Sequence, residues 1–228
     1  MLRAVIFDFN GVLVDDERIH FRAFQKILGE EGIVLSEADY YARYLGMDDR
    51  GCFRASFQAS GRELKDAALA ELIERKAIYY RTLIDHDVAI FPGVEKLVAT
   101  LARSFPLAIA SGALRHEIDL ILQKSGLHAF FLVIASAEDV HEGKPDPEIF
   151  LRALELLNQQ QKNSAILSAQ CLVIEDSKEG IRAAKRAGMK CLAVTNSYPQ
   201  SELTQADAVV AGLNEVDVAF LNRLFAAD

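Results

Sequence analysis

Four short stretches carry side chains that can act together. "VIFDFNG" ends an apolar run in Asp8, with Asn10 and Gly11 just after it. "ASG" sets Ser111 and Gly112 behind a second apolar run, "EGKPDP" holds Lys144, and "VIEDS" ends a further run in Glu175 and Asp176. The set comprises a nucleophile-capable carboxylate, a hydroxyl, an ammonium and an acidic pair. It suits phosphoryl transfer. A carboxylate can attack phosphorus to give an aspartyl-phosphate, but two anions approach only with cations between them. Mg2+ is the natural cation, because it takes few carboxylates and keeps room for phosphate oxygens and water. Asp8 and Asp176 are its expected ligands, with Glu175 in direct contact or one step behind. Lys144 is expected to place a point charge on the phosphate oxygens. Ser111, the backbone at Gly112 and the bend at Gly11 are expected to aim hydrogen-bond donors at the same anion.

These residues meet only if the runs that carry them lie side by side. "LRAVIFDF" is continuous in apolar residues, as expected of a central strand covered on both faces. After "AIFPGV", strand-like runs alternate with helical ones: "PLAIAS", "FFLVIAS", "QCLVIEDS", "KCLAVTN" and "DAVVAG" are separated by amphipathic segments. Alternation with short joins predicts an α/β fold, a Rossmann-like parallel sheet with helices on both faces. In such a sheet the ligand sits beyond the carboxyl ends of the strands. Between about residues 16 and 88 the spacing is helical throughout, with Ser36 as a helix N-cap and no convincing strand. The expected organisation is an α/β core formed by residues 1–15 and 89–228, with an all-α helical cap domain inserted at 16–88.

Composition excludes several partners. The 228 residues are 51% hydrophobic and 25% charged, with a formal net charge of −8. That balance argues against a nucleic-acid or anionic-membrane surface. No apolar stretch approaches the length of a membrane span. Cys52, Cys171 and Cys191 show no metal or disulfide spacing, and Cys171 and Cys191 sit in apolar runs as small core residues. A cytoplasmic protein, monomeric or weakly dimeric, is expected.

"DFNGVLVDDE", "ASG", "GKPDP" and "VIEDS", in that order, resemble the four signature motifs of the haloacid dehalogenase-like hydrolase superfamily. The likeness spans the chain, helical insert included, and is strongest to the β-phosphoglucomutase and phosphoglycolate-phosphatase-like branch. The resemblance implies Asp8 as nucleophile, Ser111 as the second-motif hydroxyl, Lys144 as the phosphate-binding lysine, and Glu175 with Asp176 as the pair that places Mg2+. It also implies that the backbone carbonyl of Asn10 is a metal ligand. His20 and Lys76 match substrate-contacting positions of the mutase branch, and Arg50 falls in its specificity loop. The implied partner is a small phosphorylated metabolite. The intact acidic pair argues against the metal-free dehalogenase branch.

Position 10 departs from the pattern. In phosphatases and mutases of this family an aspartate stands two residues after the nucleophile and carries the proton to and from the reacting oxygens. Asn10 can donate a hydrogen bond but shuttles no proton, and such catalysis is worth about 10²–10⁴ in rate, roughly 3–5 kcal/mol. Several readings stay open: slow hydrolysis or a good leaving group, a stand-in carboxylate from Asp15, Asp16 or Glu17, an engineered replacement that traps a complex, or phospho-ligand binding without turnover. A phosphomutase ranks below a phosphatase, because it needs the same missing acid. Singly, each motif has a plainer explanation: Asp8 as a turn former, Ser111 and the acidic pair as helix caps, His20, Lys76 and Arg50 as ordinary helix residues. Their order along the chain favours the shared site.

Overall fold

Apolar runs with no polar alternation become the middle of a parallel sheet. The computed structural model describes residues 1–87, 89–160 and 164–226. Val88, the expected last residue of the insert, and residues 227–228 lie outside the described residues. The chain opens with β1 (Ala4–Phe7) and the two-residue β2 (Val14–Asp15). Four helices follow: α1 (Glu17–Glu30), α2 (Glu37–Arg43), α3 (Asp49–Ala59) and α4 (Asp66–Asp87). The rest alternates: β3 (Ala89–Ile90), α5 (Val94–Leu101), β4 (Leu107–Ala110), α6 (Arg115–Ser125), β5 (Val133–Ala135) and α7 (Glu148–Gln160). It ends with β6 (Cys171–Glu175), α8 (Lys178–Arg186), β7 (Lys190–Val194), β8 (Ala208–Val210) and α9 (Val218–Ala226).

Six strands form one sheet in the order β5-β4-β1-β6-β7-β8, with every pairing parallel. This is the expected Rossmann-like α/β arrangement. The two-residue side-chain period splits the core into two layers. Val5 and Phe7 face one layer with Leu172 and Ile174, while Ala4 and Ile6 face the other with Cys171 and Val173. From β1 the chain moves outward through β4 and β5, then returns to the opposite side of β1 as β6. The direction of winding therefore changes between β1 and β6, so the ends of these two strands border the crevice where such sheets bind ligands.

The four helices between β2 and β3 have a core of their own, built from Phe21, Phe24, Leu28, Tyr40, Phe53, Phe57, Leu69 and Leu72. Ser36 caps α2, its hydroxyl accepting from the Asp39 amide at 3.0 Å. The described residues of this block form helices and no strand, as expected, and the chain entering and leaving it pairs as a short antiparallel ribbon, Val14 opposite Ile90 and Asp15 opposite Ala89. Two residues per strand leave no periodicity for the sequence to display. Among the described residues, no helix is long and apolar enough to cross a membrane. All three cysteines are buried and free.

Phe150 on α7 is fully buried in the layer beneath β1 and β4. Its truncation tests this packing. Phe150→Ala is expected to cost about 3–5 kcal/mol in urea unfolding, and a loss under about 1 kcal/mol would be ordinary for a surface site and would refute the placement of α7.

Candidate active site

Asp8 leaves the end of β1 with its amide donating to the Ile174 carbonyl at 2.9 Å. That bond carries the β1–β6 pairing one residue beyond β1, next to Glu175 and Asp176. The Lys144 ammonium reaches in from the loop before α7, 2.7 Å from Asp8 Oδ1 and 2.6 Å from Glu175 Oε1. Glu175 is wholly buried and both of its oxygens are hydrogen-bonded. Its Oε2 accepts from the amides of Asp176 and Ser177, both at 2.8 Å, and from the Ser177 hydroxyl at 2.9 Å. Ser177 in turn caps α8, accepting from the Gly180 amide at 3.0 Å. The acid thus fixes Lys144 to the start of a helix.

Burial of this much charge shifts Asp8, Asp176 and Lys144. Loss of solvent, opposed by Lys144 and reinforced by Glu175, pushes the Asp8 carboxyl up to about 7. Asp176 is pushed well above its ordinary value by burial and by Glu175 and Asp8 beside it. On Lys144, burial opposes the charge, but Asp8 and Glu175 outweigh it and raise the pKa. Asp8, Glu175 and Asp176 each offer an oxygen, all within 4.8 Å of one another. Buried carboxylates that repel in this way suit a hard, oxygen-liking divalent cation. Gly11 keeps the approach open: at φ +76° it has a left-handed backbone, and a Cβ there would lie 2.0 Å from Asp176 Oδ2.

Ser111, after β4, donates to Asn10 Oδ1 at a long 3.4 Å and accepts from the Ala113 amide at 3.1 Å. Asn10 faces the helical block. Its Nδ2 donates to Asp16 Oδ2 at 2.8 Å and lies 3.2 Å from His20 Nε2. Tyr80 also donates to Asp16 Oδ2. His20 Nδ1 is 2.8 Å from the Lys76 ammonium, whose other contact is Asp49 Oδ1 at 2.7 Å. An ammonium only donates, so Nδ1 accepts and the ring proton sits on Nε2, towards Asp16.

One cavity of about 80 Å³ joins the two halves. Asp8, Asn10, Ser111, Gly112, Lys144 and Asp176 line its core side, and His20, Phe24, Tyr40 and residues 45–49 line its helical side. The halves are in close contact. A Cβ on Gly112 would lie 3.2 Å from Asp48 Cβ, and one on Gly143 would lie 2.8 Å from Asp48 Oδ2. Gly11 and Glu175 lie behind this lining, and two candidates from the helical block also stand apart from it. Lys76 is fully buried behind His20, and Arg50 points to the core carbonyls of Ala137, Val140 and His141 at 3.4–3.5 Å. Arg50 thus ties α3 to the core without facing the cavity.

Sequence reading missed the residues after β7 altogether. Ser197 donates to Asp176 Oδ2, and Asn196 Nδ2 donates to the Gly11 carbonyl at 2.7 Å. "VTNS" is one more strand end with polar residues, and that was the available signal. Asp49 and Tyr80 belong to none of the four motifs, and only the packing brings them to Lys76 and Asp16.

The model of haloacid dehalogenase-like hydrolases matches residues 5–194, from β1 to the end of β7. The chain belongs to this family. Within it, the chain is 33% identical over 97% of its length to a putative phosphatase of Bacillus subtilis, and covers 96% of that protein. It is 28% identical to a chloroplastic 5-amino-6-(5-phospho-D-ribitylamino)uracil phosphatase of Arabidopsis thaliana, of which it spans 58%. The fold superimposes on a crystal structure of β-phosphoglucomutase from Clostridium difficile with a TM-score of 0.86 and 25% identity, covering 99% of this chain and 98% of that one. A CbbY mutant from Rhodobacter sphaeroides with an Asp-to-Asn change, in complex with xylulose-(1,5)bisphosphate, gives 0.84 at 25% identity, with 97% and 99% covered.

The Asp16 cluster makes a testable contribution to stability. Burial raises the Asp16 pKa, but His20 beside it and the donors of Tyr80 and Asn10 outweigh burial and hold it below the ordinary value. A group depressed in this way stabilises the fold above its unfolded pKa and loses that contribution as the pH falls through its folded pKa. Tyr80→Phe removes one donor to the charged form, so it is expected to cost roughly 1.5–3 kcal/mol at neutral pH. The cost should shrink in strong acid, and urea unfolding at both pH values checks this. A cost that does not depend on pH would show that Tyr80 contributes packing alone.

Proposed function

We propose that the chain is a magnesium-dependent phosphatase of small phosphorylated metabolites. The observation that carries this reading is the convergence of Asp8, Lys144 and Asp176 on one cavity at the carboxyl edge of the sheet. Asp8 and Asp176, with the Asn10 carbonyl, would hold Mg2+, and Glu175 acts by fixing Lys144 and the start of α8. When bound, the cation neutralises the carboxylates and phosphate oxygens that otherwise repel. An Asp8 oxygen forms a bond to phosphorus as the bond from phosphorus to the leaving oxygen breaks. Lys144, the Ser111 hydroxyl and backbone amides at Gly11 and Gly112 balance the charge on the phosphoryl oxygens. Water then cleaves the aspartyl-phosphate. The leaving oxygen draws its proton from water, since Asn10 has none to give, and turnover is slow. The helical block acts as a lid that excludes water from the site, moving on the two-stranded ribbon.

Two observations weigh against a phosphomutase. Lys76 and Arg50, its expected sugar contacts, are bound to Asp49 and to core carbonyls, and position 10 lacks the acid. Binding without turnover is the second reading, and the amide at position 10 favours it. A phosphoryl adduct on Asp8 separates the two. Incubation with an aryl phosphate and magnesium is expected to yield an acid-stable, hydroxylamine-labile adduct together with phosphate release, both absent in Asp8→Asn. Ligand binding with no phosphate released over hours supports the non-catalytic alternative.

Two further outcomes follow from the geometry. Asn10→Asp should raise kcat on an aryl phosphate by about 10²–10⁴. It should also lower stability at alkaline pH by roughly 1–3 kcal/mol, because a second carboxylate then meets Asp16. Equal or lower turnover would show that position 10 does not limit the rate. Magnesium at about a hundred times its Kd should stabilise the fold by about 2.7 kcal/mol in thermal unfolding, and Asp176→Asn should abolish that gain. No shift at millimolar magnesium counts against the metal site.

A further inference from the structure

The lid side of the cavity is acidic, and this limits what the phosphate can be attached to. Glu17, Asp48 and Asp49 line it, together with His20, Tyr40 and Phe24. No lysine or arginine of the lid does so among the described residues. Lys144, at the core end, is the one such cation lining the cavity among the described residues, and the phosphate would take it. The nearby lid cations are engaged elsewhere, Lys76 with Asp49 and His20, and Arg50 with carbonyls outside the cavity. His20 offers no free donor, because Nε2 faces Asp16 at 3.3 Å and Nδ1 accepts from Lys76. Tyr40 donates its hydroxyl to Glu17 at 2.5 Å. On Asp49, Oδ1 holds Lys76, while Oδ2 is buried and has no partner among the described residues. A buried carboxylate oxygen without a donor is costly unless a ligand supplies one.

We infer that the site takes phosphate esters whose leaving group donates hydrogen bonds and carries no second negative charge, an amino or polyhydroxy alcohol. A second phosphate or a carboxylate on the substrate would meet Glu17, Asp48 and Asp49 in a site of low dielectric, with no cation to answer it. A hydroxyl or an ammonium would meet acceptors, Asp49 Oδ2 first among them. The inference rests on the phosphatase reading only for which end of the cavity holds the phosphate.

Three small esters test it: phosphoethanolamine, glycerol 2-phosphate and phosphoglycolate, which end in an ammonium, hydroxyls and a carboxylate. With magnesium, kcat/KM for the first two is expected to exceed that for phosphoglycolate by at least about tenfold. Asp48→Asn keeps a good cap residue on α3 and should narrow that gap at least about threefold by removing one charge from the wall. A parallel aryl phosphate assay reports on the phosphatase reading by itself. The Kd of each ester for wild-type protein and Asp8→Asn, read by calorimetry with magnesium, gives the same ranking without turnover. Loss of aryl phosphate hydrolysis with the Kd ranking intact overturns the phosphatase reading and sustains this one. Equal affinities, no measurable binding of any of the three, or a preference for phosphoglycolate overturns this one.

Discussion

The Lys144 ammonium lies between Asp8 and Glu175, nearly out of solvent, and the rest of the site is arranged around that contact. A buried lysine survives charged only if carboxylates surround it, and buried carboxylates stay close only if a cation separates them. Each therefore requires the others. The parallel sheet supplies the placement, because β1 and β6 are neighbours and end at the same level. The amides at the start of α8 supply the remaining donors to Glu175, so the acid is fixed before any ligand arrives. Preorganised charge of this kind needs little rearrangement when a phosphate binds. Burial, and after it the neighbouring carboxylates, makes Asp8 and Asp176 both bind protons more tightly than exposed carboxylates do.

A second buried chain of polar groups runs through the lid, from Asn10 through Asp16, His20 and Lys76 to Asp49. It alternates donors and acceptors, and Tyr80 adds a further donor to Asp16. Its two ends and His20 touch the cavity, while Asp16 and Lys76 are sealed. The lysine in it is held by Asp49 and His20 inside the helical block, which leaves Glu17, Asp48 and Asp49 on the cavity wall without a lysine or arginine of that block beside them among the described lining residues. In this way packing inside the lid sets the charge of the cavity wall.

The sequence disclosed the strand ends well. β1 and β6 are continuous apolar runs closed by acids, and a central parallel strand has no other way to look. Asp8, Lys144, Glu175 and Asp176 accordingly stood out, and the structure brings all four together. β2 and β3 were hidden because a two-residue strand has no period. Ser197 and Asn196 were hidden because small polar residues after a strand are ordinary turn formers, and only the packing shows their contacts to Asp176 and Gly11. Lys76 and Arg50 illustrate a different limit. A position on a lid helix can be read from the chain, but its partner depends on packing. Asp49 claims one of these cations and the carbonyls of a core loop claim the other.

Asn10 reads differently once Asp16 is seen beside it. A carboxyl at position 10 could make the contact with Asp16 only while protonated, since two ionised carboxylates at that separation repel. The amide donates to Asp16 at any pH. It therefore reproduces the hydrogen bond of the protonated acid while giving up the proton transfer that an acid performs. Asp16 is the acceptor on which Asn10, Tyr80 and His20 all converge, just before the first residue of α1, so a permanent donor from the β1 loop ties core to lid at the hinge. An amide at this position thus gives the two halves a contact that does not depend on pH and forgoes an exchangeable proton, and the two effects cannot be separated, because both follow from holding a fixed donor where an acid would hold an exchangeable one.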